Sequence, residues 1–247
     1  MHSAALRERR PNLPFMNLLT QTWRSSLGKK YIMALTGCAL LGFVIAHLAG
    51  NLQIFLGPEP LNRYGQFLQT TPELLWPARV GLIVLVMLHI VASAQLSVEN
   101  RRARSVPYNH YEVVAASYAS RTMLMSGLII AVFVVYHLLH FTVQIPGINF
   151  TGQDFRILED AKARHDIYRM MIIGFKQPLV SGFYMLGMAL LCLHLSHGAS
   201  SMFQSMGWKN KYYGKLLDKA ARIGALLIFL GYCSIPLAVL SGLIKLP

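Results

Sequence analysis

Apolar residues along this chain come in long runs, separated by shorter polar segments that carry most of the Lys and Arg. A membrane-spanning helix needs about 20 mostly apolar residues. Five stretches qualify, roughly 31–55, 75–98, 121–143, 178–200 and 220–243, numbered here helices I to V. Helix I reads YIMALTGCALLGFVIAHLAGNLQIF and helix III reads RTMLMSGLIIAVFVVYHLLHFTV. Pro77 and Pro178 fall near first helical positions, where a missing N–H costs nothing. Gly57-Pro58 and Pro146-Gly147 end helices I and III, and Pro236 lies within helix V, where a kink is expected. The segment 144–177 is the longest connection, and its aromatic and charged residues suit a short surface helix. No internal repeat stands out. The pattern predicts an all-α membrane protein: a polar N-terminal segment, 1–30, then one five-helix transmembrane domain, 31–247, with helices I–IV as a four-helix bundle.

Composition agrees with the pattern. The chain is 54% hydrophobic and 13% charged, against about 25% charged in soluble domains. Its formal charge is +13, but Lys and Arg lie between apolar runs and form no continuous basic face, which argues for topology over nucleic-acid binding. The N-terminal segment and the II–III and IV–V loops hold fifteen of the 23 Lys and Arg residues, and the opposite side holds eight. By the positive-inside rule the N-terminus is cytoplasmic and the C-terminus outside. Residues 1–30 show no apolar stretch of the kind a cleavable signal peptide has. Cys38, Cys192 and Cys233 sit inside apolar runs with no C-x-x-C-H motif, so covalent haem attachment is not expected.

The chemistry lies in the histidines. A polar, ionisable side chain is expensive in the bilayer core and usually has a task there. His47 lies in helix I, His89 in helix II, His137 and His140 in helix III, and His194 and His197 in helix IV; His2, His110 and His165 fall outside the spans. At about 1.5 Å per residue, His47 and His137 come out roughly 6–7 Å outside the midplane, with His194 about 7 Å and His89 a few Å inside it. The histidines thus form two layers, roughly 10–15 Å apart. Two layers of paired imidazoles suit two b-type haems, each held through two axial histidines. Gly37, Gly42, Gly127, Gly182 and Gly187 would let helices or a porphyrin approach closely. His140 and His197 are the substitutes if either layer is misassigned. A lone membrane histidine can equally serve as an interhelical hydrogen-bonding group, and histidines lining a proton path in a transporter are a rival reading. The spread over depth argues against a zinc site.

Several motifs, in order, carry a resemblance. SSLGKKYIMALTG leads into GFVIAHLAGNLQIF; LNRYGQFLQ precedes a long apolar helix with MLHIVAS; ENRRARSVPY follows; SRTMLMSGLIIAVFVVYH and GFYMLGMALLCLHLSHG complete the set. The chain resembles the five-helix, di-haem cytochrome b subunit of succinate:quinone oxidoreductases (succinate dehydrogenase and fumarate reductase) from about Ser25 into helix V. The resemblance implies His47, His89, His137 and His194 as haem ligands. It implies a subunit that anchors an FAD-containing flavoprotein and an iron–sulfur subunit in the bacterial cytoplasmic membrane, and that passes electrons through an inner haem (His89, His194) and an outer haem (His47, His137) to a quinone, menaquinone in di-haem members. The dicarboxylate site would lie on another subunit. Lys30, Tyr31 and Arg121 are candidates for the haem propionates, and Glu59 for proton exchange with the quinone; positive-inside topology and a solvated loop are the plainer accounts of those four. The inner basic loops, including WKNKYYGK, would dock the iron–sulfur subunit or bind lipid headgroups.

Overall fold

The computed structural model describes residues 16–103 and 118–246, with side chains from 20–103 and 122–246. The II–III loop from 104 to 117, residues 1–15 and the side chain of Arg121 lie outside the described residues. All regular structure described is helical: α1 Met16–Arg24, α2 Ser26–Asn51, α3 Pro58–Thr70, α4 Pro72–Arg102, α5 Tyr118–His137, α6 Ile167–Phe175, α7 Pro178–Ser205 and α8 Gly214–Leu240. Five of the described helices, α2, α4, α5, α7 and α8, are long and apolar enough to cross a membrane. This is an all-α, multi-pass membrane protein. Large side chains such as Ile83, Val132, Leu186 and Leu227 are well exposed along these helices, which in lipid is the low-energy arrangement.

The spans are longer than the apolar runs suggest, because caps set their ends. Ser25 accepts from the Gly28 amide at 2.9 Å and starts α2 ahead of Tyr31. Pro72 takes the first position of α4, so Pro77 sits inside that helix and not at its start. Gly57, at φ 99°, ends the first span after a short 3-10 turn, and Pro58 at once begins α3. This amphipathic helix was not expected. Pro236 is buried inside α8, where it has no N–H to offer the Tyr232 carbonyl.

The connection between α5 and α7 also differs from expectation. Its helix, α6, is not a surface helix: Tyr168 and Met170 through Phe175 are all buried. IYRMMIIGF is apolar on nearly every side, and such a helix must be covered all round. It tucks beneath α3 and against α7 and α8. Together α3, α6 and the loop that leads into α6 cap one end of the bundle. Ile54, Leu61, Phe133, Met171, Ile172, Phe175, Tyr184 and Ile235 form a core there. The opposite, basic end holds Lys29, Arg101, Arg102, Lys209 and Lys211.

Within the bundle α2 packs on α4 and α7, and α5 packs on α7 and α4. The four make a ring in which α2 faces α5, and α4 faces α7, across a diagonal. The fifth span, α8, lies outside this ring against α7 and α2. Gly231 of α8 permits the close approach to α2, since a Cβ there would stand 2.8 Å from Leu48.

Candidate functional site

Each diagonal of the ring brings two imidazoles together. His47 of α2 and His137 of α5 have ring centroids 5.8 Å apart, towards the capped end. His89 of α4 and His194 of α7 have centroids 6.4 Å apart, towards the basic end. These are the two layers expected from the spacing of the histidines. Gly37 lies against His89, and His47 is ten residues further along α2. Gly127 lies against His194, and His137 is ten residues further along α5. At 1.5 Å per residue, both helices set the layers about 15 Å apart.

These helices share a motif that the sequence reading missed. TGCALLGFVIAH, Thr36 to His47, and SGLIIAVFVVYH, Ser126 to His137, both have a hydroxyl residue, Gly, five residues, Phe, three residues and His. The repeat is structural. Thr36 Oγ1 donates to the Ile32 carbonyl at 2.7 Å and lies 3.0 Å from His89 Nδ1. Ser126 Oγ donates to the Met123 carbonyl at 3.1 Å and lies 3.4 Å from His194 Nδ1. When each hydroxyl donates to its own helix, its oxygen is left to accept from Nδ1–H. Nε2 is then the unprotonated nitrogen, the form that binds a metal. The glycine beside each hydroxyl admits the ring: a Cβ on Gly37 would be 3.3 Å from His89 Cε1, and one on Gly127 3.4 Å from His194 Cε1. Phe43 stacks on His47 with centroids 5.3 Å apart, and Phe133 on His137 at 6.3 Å.

Comparisons of the chain with family models, curated proteins and solved structures return no match.

Among the described residues no three His, Cys, Asp or Glu side chains converge to hold a bare metal ion. Two imidazoles alone suit an ion whose other ligands come with it, and a haem brings four equatorial nitrogens of its own. With metal–imidazole bonds of about 2.0 Å and roughly 1.2 Å from ring nitrogen to ring centroid, two imidazoles sharing one metal ion from opposite sides would have centroids about 6.4 Å apart. The 6.4 Å between His89 and His194 matches that spacing, and the 5.8 Å between His47 and His137 is about 0.6 Å shorter. Each layer thus presents two imidazoles at a separation that would suit one metal ion between them.

The remaining candidates fall in several places. Lys30 and Tyr31 are exposed at the basic end of α2. Their neighbour Lys29 is the inward one, 2% exposed and paired with Glu99 at the end of α4. Its seven-residue spacing to Thr36 marked that face, but a run of two lysines does not show which one turns inward. Arg121 lies early in α5. His197 sits near the basic end with its Nε2 3.2 Å from Ser201 Oγ. His140, by contrast, is buried at 1% exposure in a π-helical turn, Leu138–Thr142.

Glu59 opens α3 on the cap, where it accepts from Arg164 at 2.6 Å and Lys162 at 3.0 Å. Hydrogen bonds from Arg164, then Lys162, hold its carboxyl at about 2. Its contacts here tie α3 to the loop before α6. Asp160 shares Arg164 at 2.8 Å, which lowers its carboxyl too. Asn62, 1% exposed, completes the clamp. It donates to Asp166 at 3.0 Å and Asp160 at 3.3 Å and accepts from the Tyr168 amide at 3.0 Å.

Proposed function

We propose that this chain is the di-haem cytochrome b membrane anchor of a succinate:quinone oxidoreductase, relaying electrons between an iron–sulfur subunit and a quinone pool. The observation that carries the reading is the pair of diagonal imidazole couples, at a spacing suited to bis-histidine iron, with hydroxyl residues and glycines arranged for His89 and His194. The ordered motifs described above supply the link to this enzyme class.

Haem, when bound, supplies one-electron redox chemistry. The chain does the rest. His89 and His194 would hold one haem near the basic end, and His47 and His137 the other near the capped end. Thr36 and Ser126 keep His89 and His194 in the metal-binding tautomer. The apolar faces of α2, α4, α5 and α7 exclude water, so that electrons and not protons cross the interior. The two layers, about 15 Å apart, would let an electron pass from one haem to the other. The basic end would face the cytoplasm, offer Lys30, Tyr31 and Arg121 to the haem propionates and receive the iron–sulfur subunit, which connects to the FAD flavoprotein. Menaquinone would be reduced towards the capped end. Whether the enzyme oxidises succinate or reduces fumarate is set by potentials and quinone supply.

The test is a dithionite-reduced minus oxidised spectrum of the purified protein, with non-covalent haem quantified per chain and co-purifying subunits identified. About two b haems with an iron–sulfur and a flavoprotein partner are expected. One haem would discard one histidine pair, and none in a folded protein would discard the relay.

A further inference from the structure

The two layers differ in what lies behind the histidines. At the basic-end layer, the Thr36 and Ser126 protons end on main-chain carbonyls of their own helices. At the capped-end layer the partner is a phenol. Tyr184 of α7, buried at 7% exposure, places Oη 3.4 Å from His137 Nδ1 and 3.0 Å from His140 Nδ1. A phenol has one proton to donate and can also accept. If His137 offers Nε2 to a metal, its Nδ1 carries the proton and donates to Tyr184. The Tyr184 proton then goes to His140 Nδ1. That leaves His140 protonated on Nε2, a buried atom with no partner among the described residues.

Leaving a buried donor unpaired is costly, and an alanine or leucine at this position would avoid that cost. The site is also built around His140. The π-turn, closed by the Val143 amide on the Leu138 carbonyl at 2.7 Å, re-aims the ring; such turns occur often at functional sites. Phe141 stacks on it with centroids 3.9 Å apart. Gly174 of α6 makes room, since a Cβ there would stand 3.3 Å from His140 Cε1.

We propose that Tyr184 and His140 are positioning residues for the capped-end ligand: the hydrogen-bonded chain His137–Tyr184–His140 sets the electron-donating strength of His137 and with it the redox potential of the haem held there. A hydrogen bond accepted from a ligating imidazole raises its basicity, which favours ferric over ferrous iron. The His140 bond polarises Tyr184 and tunes how well it accepts. This rests on the di-haem reading.

The experiment is an optical redox titration, with haem quantified per chain, on the wild-type protein and on Tyr184→Phe, His140→Leu and His140→Asn. Phenylalanine keeps the ring contacts of Tyr184 with Phe133 and Phe175, at 5.2 and 5.1 Å, and removes only the hydroxyl. Tyr184→Phe should raise the midpoint of one haem by about tenfold in oxidised-to-reduced ratio, which is about 59 mV for one electron, and leave the other unmoved. His140→Leu should move the same haem in the same direction. His140→Asn, whose amide oxygen offers Tyr184 an acceptor, should bring it back towards wild type. If Tyr184→Phe loses that haem outright, the His140 pair decides: a shift restored by Asn supports the chain. Two bound haems with neither potential moved overturn the inference and leave the di-haem reading intact, as does an equal shift of both. A wild-type protein without haem overturns both.

Discussion

Gly37 offers the most direct test of the site, because the structure supplies its own control. A Cβ at Gly37 would meet His89 Cε1 at 3.3 Å, whereas at Gly42, in the same helix, nothing lies within 4 Å. Ordinary carbon–carbon contacts optimise near 3.5–4.0 Å. Alanine at Gly37 therefore needs the imidazole to retreat by a few tenths of an ångström, and the branched methyls of valine need more. The ring cannot retreat freely, since Thr36 holds Nδ1 at 3.0 Å and an iron on Nε2 would hold it at about 2.0 Å. Overpacking of this kind costs about 1–3 kcal/mol, or roughly fivefold to more than a hundredfold in binding. The expectation is that Gly37→Val retains about one haem per chain, having lost the one held by His89, while Gly42→Val retains two. Gly127→Val should behave like Gly37→Val through His194, whose Cε1 lies 3.4 Å from the would-be Cβ. Haem content and the reduced-minus-oxidised spectrum of detergent-purified protein read the result. Two haems with unchanged spectra in Gly37→Val would refute the placement of a metal between His89 and His194.

Three further outcomes follow from the ends of the bundle. Asn62→Ala removes three hydrogen bonds from a buried site and should cost about 2–4 kcal/mol; hydrogen exchange should quicken in 158–175 before it does in the spans, and uniform exchange would refute the clamp. Glu59 has a folded-state pKa depressed to about 2 by Arg164 and Lys162, so its contribution is fully present above its ordinary 4.5 and is lost as pH falls towards 2. Protection of the 158–166 amides, taken relative to the rate of an unstructured chain at the same pH, should therefore fall between pH 4.5 and 2. At the basic end Glu99→Gln leaves the buried Lys29 without a counter-charge, whereas Lys29→Met leaves only a half-exposed carboxylate. The first should destabilise more, by up to about 3 kcal/mol relative to the second, in detergent unfolding; the reverse order would refute the burial of Lys29.

The sequence alone determined the spans and the spacing of the histidines. Lipid admits no unsatisfied backbone, so 20-residue apolar runs must be helices. A helix rises by a constant amount, so residue number becomes depth and the four histidines fall into two layers before any packing is known. The motif repeated around Gly37 and Gly127 was also legible there, although its two halves are ninety residues apart and share few identities beyond the spaced hydroxyl, glycine, phenylalanine and histidine.

Tertiary structure decided which side chains meet. Depth does not give rotation about the helix axis, and only the ring order of α2, α4, α5 and α7 makes each layer a diagonal pair. Pairing across the bundle turned Lys29 inward and left Lys30 outside, a difference of one position that a run of basic residues cannot encode by composition. It also joined His137 and His140 through Tyr184, a residue on another helix that no local pattern singles out. The cap was hidden for a related reason: α3 looks like a loop because it has two prolines and few apolar residues, and α6 is too short to span. Each is fixed by what covers it, with Asn62, Asp160 and Arg164 satisfying the polar groups that the packing buries.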